Sequence, residues 1–271
     1  MAADRPSIDE TRLAALGEVL RRASGLSISP GMRRGLPSAV ADVAAGLGEP
    51  PAVALCRLLE EEPIAVEALV ERTVVGETSF WRHPEQLRAL RQVAFGAPEP
   101  LSIWSAGCAT GEEPYSVAMA LLEAGRAGRG DRILATDVSA RALDRAREGR
   151  YPAWSLRRLP RELRERWMSG EPPDADVAPA VREPVELLRH NLVAEPPPGS
   201  GFDVVLCRNV LIYFDPVRAA EVLYRLLGAT RPGGLLVLGP VELPLAAQVD
   251  VEWVEAEGAS LLRRRTEDPP R

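Results

Sequence analysis

Lysine is absent from the sequence, and all 33 basic side chains are arginines. A lysine is required by the phosphate loop of nucleoside triphosphatases, by the ATP site of protein kinases and by Schiff-base enzymes. These three classes of enzyme are therefore excluded.

Histidine and cysteine are scarce. The chain has two histidines, His83 and His190, and three widely separated cysteines, Cys56, Cys108 and Cys207. None of them has the CxxC or HxxxH spacing of a zinc site, so we expect no bound metal. The odd number of separated cysteines fits a reducing compartment, with each thiol acting as a small buried hydrophobe.

Long apolar runs are also missing. Runs such as residues 235–238 fall far short of the roughly 20 residues that span a bilayer. Because no charged-then-apolar signal opens the sequence, we expect a cytoplasmic protein without direct membrane insertion. The net charge of −6 argues against nucleic acid as a partner.

Hydrophobic residues make up 46% of the 271 positions. This is enough for a sizeable core, either in one large domain or in one domain with a smaller second domain.

Residues 8–73 predict a small all-helical unit. Apolar residues recur at helical spacing over 8–20, 53–59 and 64–70, and Ser24-Gly25 is a stop signal. No strand pattern interrupts this stretch.

Beyond residue 100, strand and helix patterns alternate. Strands are predicted at 101–104, 133–136, 185–188, 202–207 and 235–238, with two more near Val251 and Leu261. Helices are predicted at 112–123, 139–148 and 216–227. This alternation predicts a doubly wound parallel α/β sheet. The Pro-rich, charged stretch 151–184 shows little strand alternation and is interpreted as an insertion.

The first of these strands runs into SAGCATGEEPY, residues 105–115. Gly107 and Gly111 permit a tight turn and a close approach of a ligand to the backbone. At the start of the next helix, Glu112 and Glu113 would repel phosphates and attract a cationic ligand. A second interpretation stays open, in which both carboxylates merely complement the helix dipole.

Asp137 directly follows the second strand. A carboxylate there can bind both hydroxyls of a ribose, although a helix cap or turn residue would look the same. Taken with the glycine turn, it predicts an adenosine-containing ligand whose other end is positive. S-adenosylmethionine fits that description better than NAD or ATP.

Five segments carry a family resemblance. They are GETSFWR at 76–82, SAGCATGEEPY at 105–115, LATD at 134–137, HNL at 190–192 and FDVVLCRNVLIYFD at 202–215. In their sequence and order the chain resembles the CheR-type chemotaxis receptor methyltransferases, over nearly its whole length.

The resemblance implies a class I S-adenosylmethionine-dependent methyltransferase, with a Rossmann-like doubly wound sheet preceded by a small all-helical domain. Residues 1–75 would recognise the receptor, and 76–99 would form a linker helix with a cofactor-contacting segment. Residues 100–271 would form the catalytic domain, with the insertion 151–184 in place of the family's β-subdomain. The implied reaction methylates glutamate carboxylates on chemoreceptor cytoplasmic helices, giving glutamyl methyl ester and S-adenosylhomocysteine.

Site residues are carried over by position. The cofactor-binding set is Gly76, Thr78, Arg82, Gly107, Glu112, Asp137, Asn191, Leu192, Arg208 and Asn209. Within it, Glu112 would face the methionine end, Asp137 the ribose, and Asn191 with Leu192 the adenine. Arg82 and Tyr213 would lie next to the transferring methyl as the catalytic residues.

A substrate glutamate, with a pKa of about 4.3, is already ionised at neutral pH, so no general base is needed. Arg82 could orient the carboxylate through its planar fork, and Tyr213 could donate a hydrogen bond to it. The alternatives are that Arg82 pairs with nearby acidic residues and that Tyr213 packs in the core.

The chain departs from the family at Gly76, where Asn is usual, and at Trp81, where Phe is usual. The lack of strand pattern in 151–184 argues against docking of a receptor peptide there.

A cluster of arginines could steer the acidic receptor helices or could simply be a solvated face: Arg12, Arg21, Arg22, Arg33 and Arg34. We expect a monomer. A cofactor-binding sensor and a transferase acting on a non-receptor substrate stay open as alternatives.

Overall fold

The computed structural model describes residues 8–97, 99–170 and 174–266. The chain divides into two compact units. The helical unit comprises Met1–Val75 with Tyr213–Arg218, and the sheet unit comprises Gly76–Ile212 with Ala219–Arg271. Among the described residues no single helix is long and apolar enough to cross a membrane, although Pro30–Leu47 and Pro51–Leu59, bent by 104°, pass that test as a pair.

The helical unit confirms the helices expected from the apolar spacing. Its helices in the described chain are α1 (Glu10–Ser24), α2 (Pro30–Leu47), α3 (Pro51–Leu59) and α4 (Pro63–Thr73). The side chains of Asp9 and Ser29 cap α1 and α2 by accepting hydrogen bonds from backbone N–H groups three residues on. Gly25, in the left-handed region at φ 74°, ends α1 at the predicted stop.

The predicted arginine cluster lies in this unit, where carboxylates partly neutralise it. Four of the five arginines lie within 4 Å of acidic side chains: Arg12 of Asp9, Arg21 of Glu18 and Asp215, Arg22 of Glu18 and Glu61, and Arg33 of Glu10. Local pairing weakens any attraction that the cluster could exert on an acidic partner, which favours the solvated-face interpretation.

The sheet unit is built on a mixed sheet. The strands are β1 (Ser102–Ala106), β2 (Arg132–Asp137), β3 (Arg150–Pro152), β4 (Met168–Ser169), β5 (Asp174–Val177), β6 (Val185–Arg189), β7 (Phe202–Cys207), β8 (Thr230–Leu238), β9 (Val251–Ala256) and β10 (Ala259–Arg264). The later helices are α5 (Pro84–Val93), α6 (Glu112–Glu123), α7 (Ala140–Glu148), α8 (Arg161–Trp167), α9 (Pro179–Arg182) and α10 (Pro216–Ala229), with 3-10 turns at Leu211–Tyr213 and Leu243–Gln248.

Within the described residues the main sheet has seven strands in the order β6-β2-β1-β7-β8-β10-β9. The first five are parallel, as predicted, but β10 is antiparallel to both β8 and β9. The prediction of a wholly parallel sheet is therefore wrong at this edge. Only Glu257 and Gly258 connect β9 to β10, both at positive φ, and a two-residue hairpin turn can join only antiparallel strands.

The stretch 151–184 also differs from its prediction. With Arg150 it forms a small antiparallel sheet of β3, β5 and β4, so the expectation of little strand structure is wrong. These strands have two to four residues, too few for period-2 alternation to stand out in the sequence. Without that expectation, the objection to peptide docking no longer holds.

A buried ion pair fixes the amino end of the main sheet. The side chains of Arg126 and Asp131 are 0% and 6% exposed and lie 2.6 Å apart. Arg126 also donates to the carbonyls of Phe95 and Ala97, and Asp131 accepts from the backbone N–H of Leu101. The connection into β1 is thereby held by charge-assisted hydrogen bonds.

Thiol labelling tests the packing. Cys108 and Cys207 are buried, and burial raises the pKa of both thiols, whereas Cys56 is exposed, contrary to the sequence expectation. We expect a thiol reagent to modify Cys56 at least about 100-fold faster than the other two, because they react only after local opening. Mass spectrometry of the native protein would measure this, and Cys56→Ser should remove the fast phase. A second fast thiol would contradict the packing.

Candidate active site

The carboxyl ends of the parallel strands β6, β2, β1 and β7 meet at one edge of the main sheet, where open α/β sheets bind ligands. Four predicted site residues come to this edge. Gly107 follows β1, Asp137 ends β2, Asn191 follows β6 and Asn209 follows β7. The topology therefore brings together side chains that are far apart in sequence.

The turn after β1 requires both of its glycines. Gly107 has φ +81°, and a Cβ there would lie 2.6 Å from a methyl of Val210. Gly111 has φ +92°, and a Cβ there would lie 2.8 Å from Cβ of Ala146. Positive φ and close packing together exclude larger residues, so the predicted tight turn is confirmed, while the close approach of a ligand stays a prediction. The backbone N–H of Gly107 donates to Thr136 at 2.8 Å, which joins the turn to β2.

Asp137 connects the same turn to the next helix. Its carboxylate oxygens accept hydrogen bonds from the backbone N–H of Ala109 at 2.8 Å and of Ser139 at 2.9 Å. The side chain is only half-buried. Asp137 thus serves as a turn residue, and since each carboxylate oxygen can accept more than one hydrogen bond, its role toward a ribose stays a prediction.

A buried ion pair lies behind this edge. Arg208 Nε is 2.6 Å from Glu113, with side chains 2% and 9% exposed. Glu113 also accepts from Ser105 Oγ at 2.7 Å, and Arg208 donates to the carbonyl of Arg82 at 2.8 Å and to Gln86 at 3.1 Å. Glu113, expected to attract a cationic ligand, is instead paired with an arginine of the chain itself. No signal in the sequence pointed to that pairing.

Glu112 is almost fully enclosed, at 1% exposure. Its two carboxylate oxygens accept hydrogen bonds of 2.6 Å from the hydroxyls of Ser155 and Thr110. Burial raises the pKa of this carboxyl. Ser155 was not singled out from the sequence, yet its carbonyl also accepts from the backbone N–H of Phe80, so it links Glu112 to the segment 76–82.

Backbone strain concentrates around these residues. Of six non-glycine residues with positive φ in the described chain, three lie in the site segments, namely Trp81, Ala109 and Asn209, and a fourth, His83, directly follows one of them. Such conformations cost free energy and persist where surrounding contacts hold them, which is common at functional sites. One such contact is the hydrogen bond from the Trp81 backbone N–H to Ser116 Oγ, at 3.0 Å.

The segment 76–82 places Arg82 and Thr78 at half-buried positions. The Arg82 guanidinium donates to the carbonyl of Glu77 at 3.2 Å. Gly76 is exposed, and a Cβ built there would find no atom within 4 Å. The asparagine that the resembled family carries at this position would therefore fit, and the backbone does not require glycine.

The loop after β6 is shaped by Asn191. Its side-chain oxygen accepts hydrogen bonds from the backbone N–H groups of Val193 at 3.0 Å and Ala194 at 3.2 Å, forming an Asx turn. Leu192 is half-buried beside it. Their role toward an adenine stays a prediction.

Tyr213 is grouped with the helical unit, whereas Arg82 belongs to the sheet unit. Within the helical unit the Tyr213 carbonyl accepts from the backbone N–H of Ser27 at 2.6 Å, and Phe214 pairs with Leu26. The side chain of Tyr213 is half-buried. The catalytic pairing of Arg82 with Tyr213 stays a prediction.

Asn209 presents an unusual polar atom. Its side-chain oxygen is buried and has no hydrogen-bond partner in the described part of the chain. A buried acceptor without a donor is costly, and the group is suited to a ligand that supplies an N–H or O–H. The loop is held by Glu242, which lies beyond β8 and belongs to none of the motifs recognised in the sequence.

Comparison with known proteins gives consistent findings. Residues 76–256, about two thirds of the chain, match a family model described as "CheR methyltransferase, SAM binding domain". The "Probable biofilm formation methyltransferase WspC" of Pseudomonas aeruginosa is 38% identical over 222 residues, covering 78% of this chain and 52% of that protein.

Two further relatives are named for chemotaxis. "Chemotaxis protein methyltransferase 2" of Pseudomonas aeruginosa is 36% identical over 193 residues, 68% of this chain and 69% of that protein. The "Chemotaxis protein methyltransferase" of Escherichia coli is 32% identical over 186 residues, 65% of this chain and 64% of that protein. The chain spans about half the length of the WspC protein that it matches.

Proposed function

This chain belongs to the CheR methyltransferase family, and we propose that it transfers a methyl group to glutamate side chains on the cytoplasmic helices of chemoreceptors. Its fold is that of a class I methyltransferase, and its cofactor is S-adenosylmethionine. The products are the glutamyl methyl ester and S-adenosylhomocysteine. The proposed location is the cytoplasm, where receptor signalling helices and the cofactor are both found.

One observation carries the proposal beyond family membership. The Asn209 side-chain oxygen is buried at the carboxyl edge of the sheet and has no hydrogen-bond donor among the described residues. This acceptor fits a ligand that supplies an N–H or O–H donor. We assign the cofactor to this edge. Asp137 would take the ribose, Glu112 the methionine end, and Asn191 with Leu192 the adenine.

When bound, the cofactor supplies an electrophilic methyl group on a sulfonium. The protein's task is to hold an ionised glutamate in line with it, and such alignment contributes about 7–11 kcal/mol. In this proposal Arg82 orients the incoming carboxylate through its planar guanidinium. No residue needs to remove a proton, because a glutamate with a pKa of about 4.3 is already charged.

Methyl transfer to receptor fragments tests the function. The chain would be incubated with methyl-labelled cofactor and receptor cytoplasmic fragments from the same cell, and label released as methanol by mild alkali would be counted. Carboxyl methyl esters release methanol under these conditions, whereas methylated nitrogen does not. We expect released counts that vanish when the receptor glutamates are replaced by alanine.

Two outcomes would contradict the proposal in different ways. Binding of S-adenosylhomocysteine without released counts would favour a sensor that binds the cofactor without transfer. Counts that persist after the receptor glutamates are replaced would favour a non-receptor substrate or another carboxylate. Competition with whole-cell protein would then identify the class of substrate.

A further inference from the structure

The buried carboxylate of Glu242 binds backbone N–H groups at the carboxyl edge of the main sheet, and we call it the clamp. It lies just beyond β8 and is 1% exposed. Its Oε2 accepts from the backbone N–H groups of Asn209 and Gly239, both at 2.8 Å. Its Oε1 accepts from those of Val210 and Leu211, at 2.8 and 2.7 Å. Burial raises the pKa of this carboxyl, and the four amide donors oppose that rise.

The clamp supplies acceptors that the loop itself lacks. The three consecutive amides of residues 209–211 follow the last residue of β7, so the sheet ladder does not satisfy them. Left without acceptors, they would be costly in this site. Asn209 is also held at φ +60°, which a non-glycine residue adopts only where its surroundings fix it. Glu242 therefore sets the conformation of this loop.

The fit at the clamp is close. A Cβ at Gly239 would lie 2.7 Å from the Glu242 Oε2 and 3.0 Å from the Asn209 backbone nitrogen. The ends of β7 and β8 can approach the carboxylate only because residue 239 has no side chain. The loop conformation thus depends both on the Glu242 carboxylate and on the absence of a side chain at Gly239.

We propose that Glu242 is a positioning residue for the cofactor, acting through Asn209. By fixing the backbone of Asn209, Glu242 fixes where the Asn209 side-chain oxygen lies. That oxygen has no partner among the described residues and is available to a donor on the ligand. This inference rests on the proposed function, because it requires that the edge binds S-adenosylmethionine or its product.

The test is Glu242→Gln, which preserves shape but turns an NH2 group toward two of the four amide donors. Calorimetric titration with S-adenosylhomocysteine should show Kd raised at least about tenfold, since two donors lose their acceptor. The matched control is Asp131→Asn. Asp131 is a similarly buried carboxylate that accepts a backbone N–H at the opposite end of the strands, so its loss should lower Tm and leave Kd within twofold of the original protein.

A second readout needs no ligand. Amide hydrogen exchange at residues 209–211 should become at least about tenfold faster in Glu242→Gln and stay unchanged in Asp131→Asn. Gly239→Ala provides an independent disturbance, because it keeps the carboxylate and crowds it; the same increases in Kd and exchange rate are expected.

The double variant Glu242→Gln, Asn209→Ala tests whether Glu242 affects cofactor binding through Asn209. If Glu242 acts through Asn209, the double variant should bind no more weakly than Asn209→Ala alone. Additive losses would overturn the inference, as would Kd values for Glu242→Gln and Gly239→Ala within twofold of the original protein. Failure of the unaltered protein to bind S-adenosylhomocysteine would instead overturn the proposed function.

Discussion

Replacing Arg208 with methionine is expected to lower the free energy of unfolding by about 3–5 kcal/mol. The reason is that Glu113, 9% exposed in the ion pair, would remain as a buried charge without its cationic partner. Among the described residues, the hydroxyl of Ser105 would still donate to it. Urea denaturation monitored by tryptophan fluorescence at neutral pH would measure the change.

The matched control is Arg231→Met. Arg231 pairs with Asp203 at the same 2.6 Å, but its side chain is 48% exposed. An exposed pair contributes at most about 1 kcal/mol, so this variant should lose far less stability. Equal losses in Arg208→Met and Arg231→Met would mean that burial of the Arg208 pair is not what makes it important.

The second large effect is expected at Arg82. Arg82→Ala should reduce kcat at least about 100-fold, because the substrate carboxylate would lose its orienting group. Affinity for S-adenosylhomocysteine should fall much less than kcat, although Arg82 belongs to the predicted cofactor-binding set. The contact that joins this segment to Arg208 uses the carbonyl of residue 82 and survives the substitution.

The variant Arg82→Lys separates the effect of the positive charge from that of the guanidinium geometry. It retains the charge but loses the planar fork, so an intermediate kcat would assign part of the effect to bidentate orientation. The assay is label transfer to receptor fragments at saturating cofactor, with binding measured separately by calorimetry. An unchanged kcat in Arg82→Ala would remove Arg82 from the mechanism.

The parts of the site that could be predicted are those fixed by local backbone demands. Gly107 and Gly111 predict a turn, and Asp137 lies at the end of a strong strand pattern. The sequence therefore predicted that these residues meet at the carboxyl edge of the sheet. Glu113 and Arg208 are 95 residues apart, and Glu242 lies 33 residues from Asn209. Which charges meet over such separations is decided by tertiary packing, and a single sequence holds no record of it.

The same distinction applies to the fold. The short, mainly apolar runs at β1, β2 and β7 predicted central strands correctly, because strands that are buried on both faces are rich in hydrophobic residues. The small sheet within 150–177 was missed because its strands are too short to show a period. The antiparallel edge depended on two turn residues, Glu257 and Gly258, whose positive φ is visible only in the structure.

The helical unit is not continuous along the chain, since Tyr213–Arg218 complete it. During synthesis, Leu26 and Ser27 can therefore meet their partners only after residues 213 and 214 have been made. Closing so long a loop is slow compared with forming helices α1 to α4. A fragment ending at residue 75 would have these helices but not the segment 213–218 that completes the unit, so the unit should be completed late, after most of the sheet unit has left the ribosome.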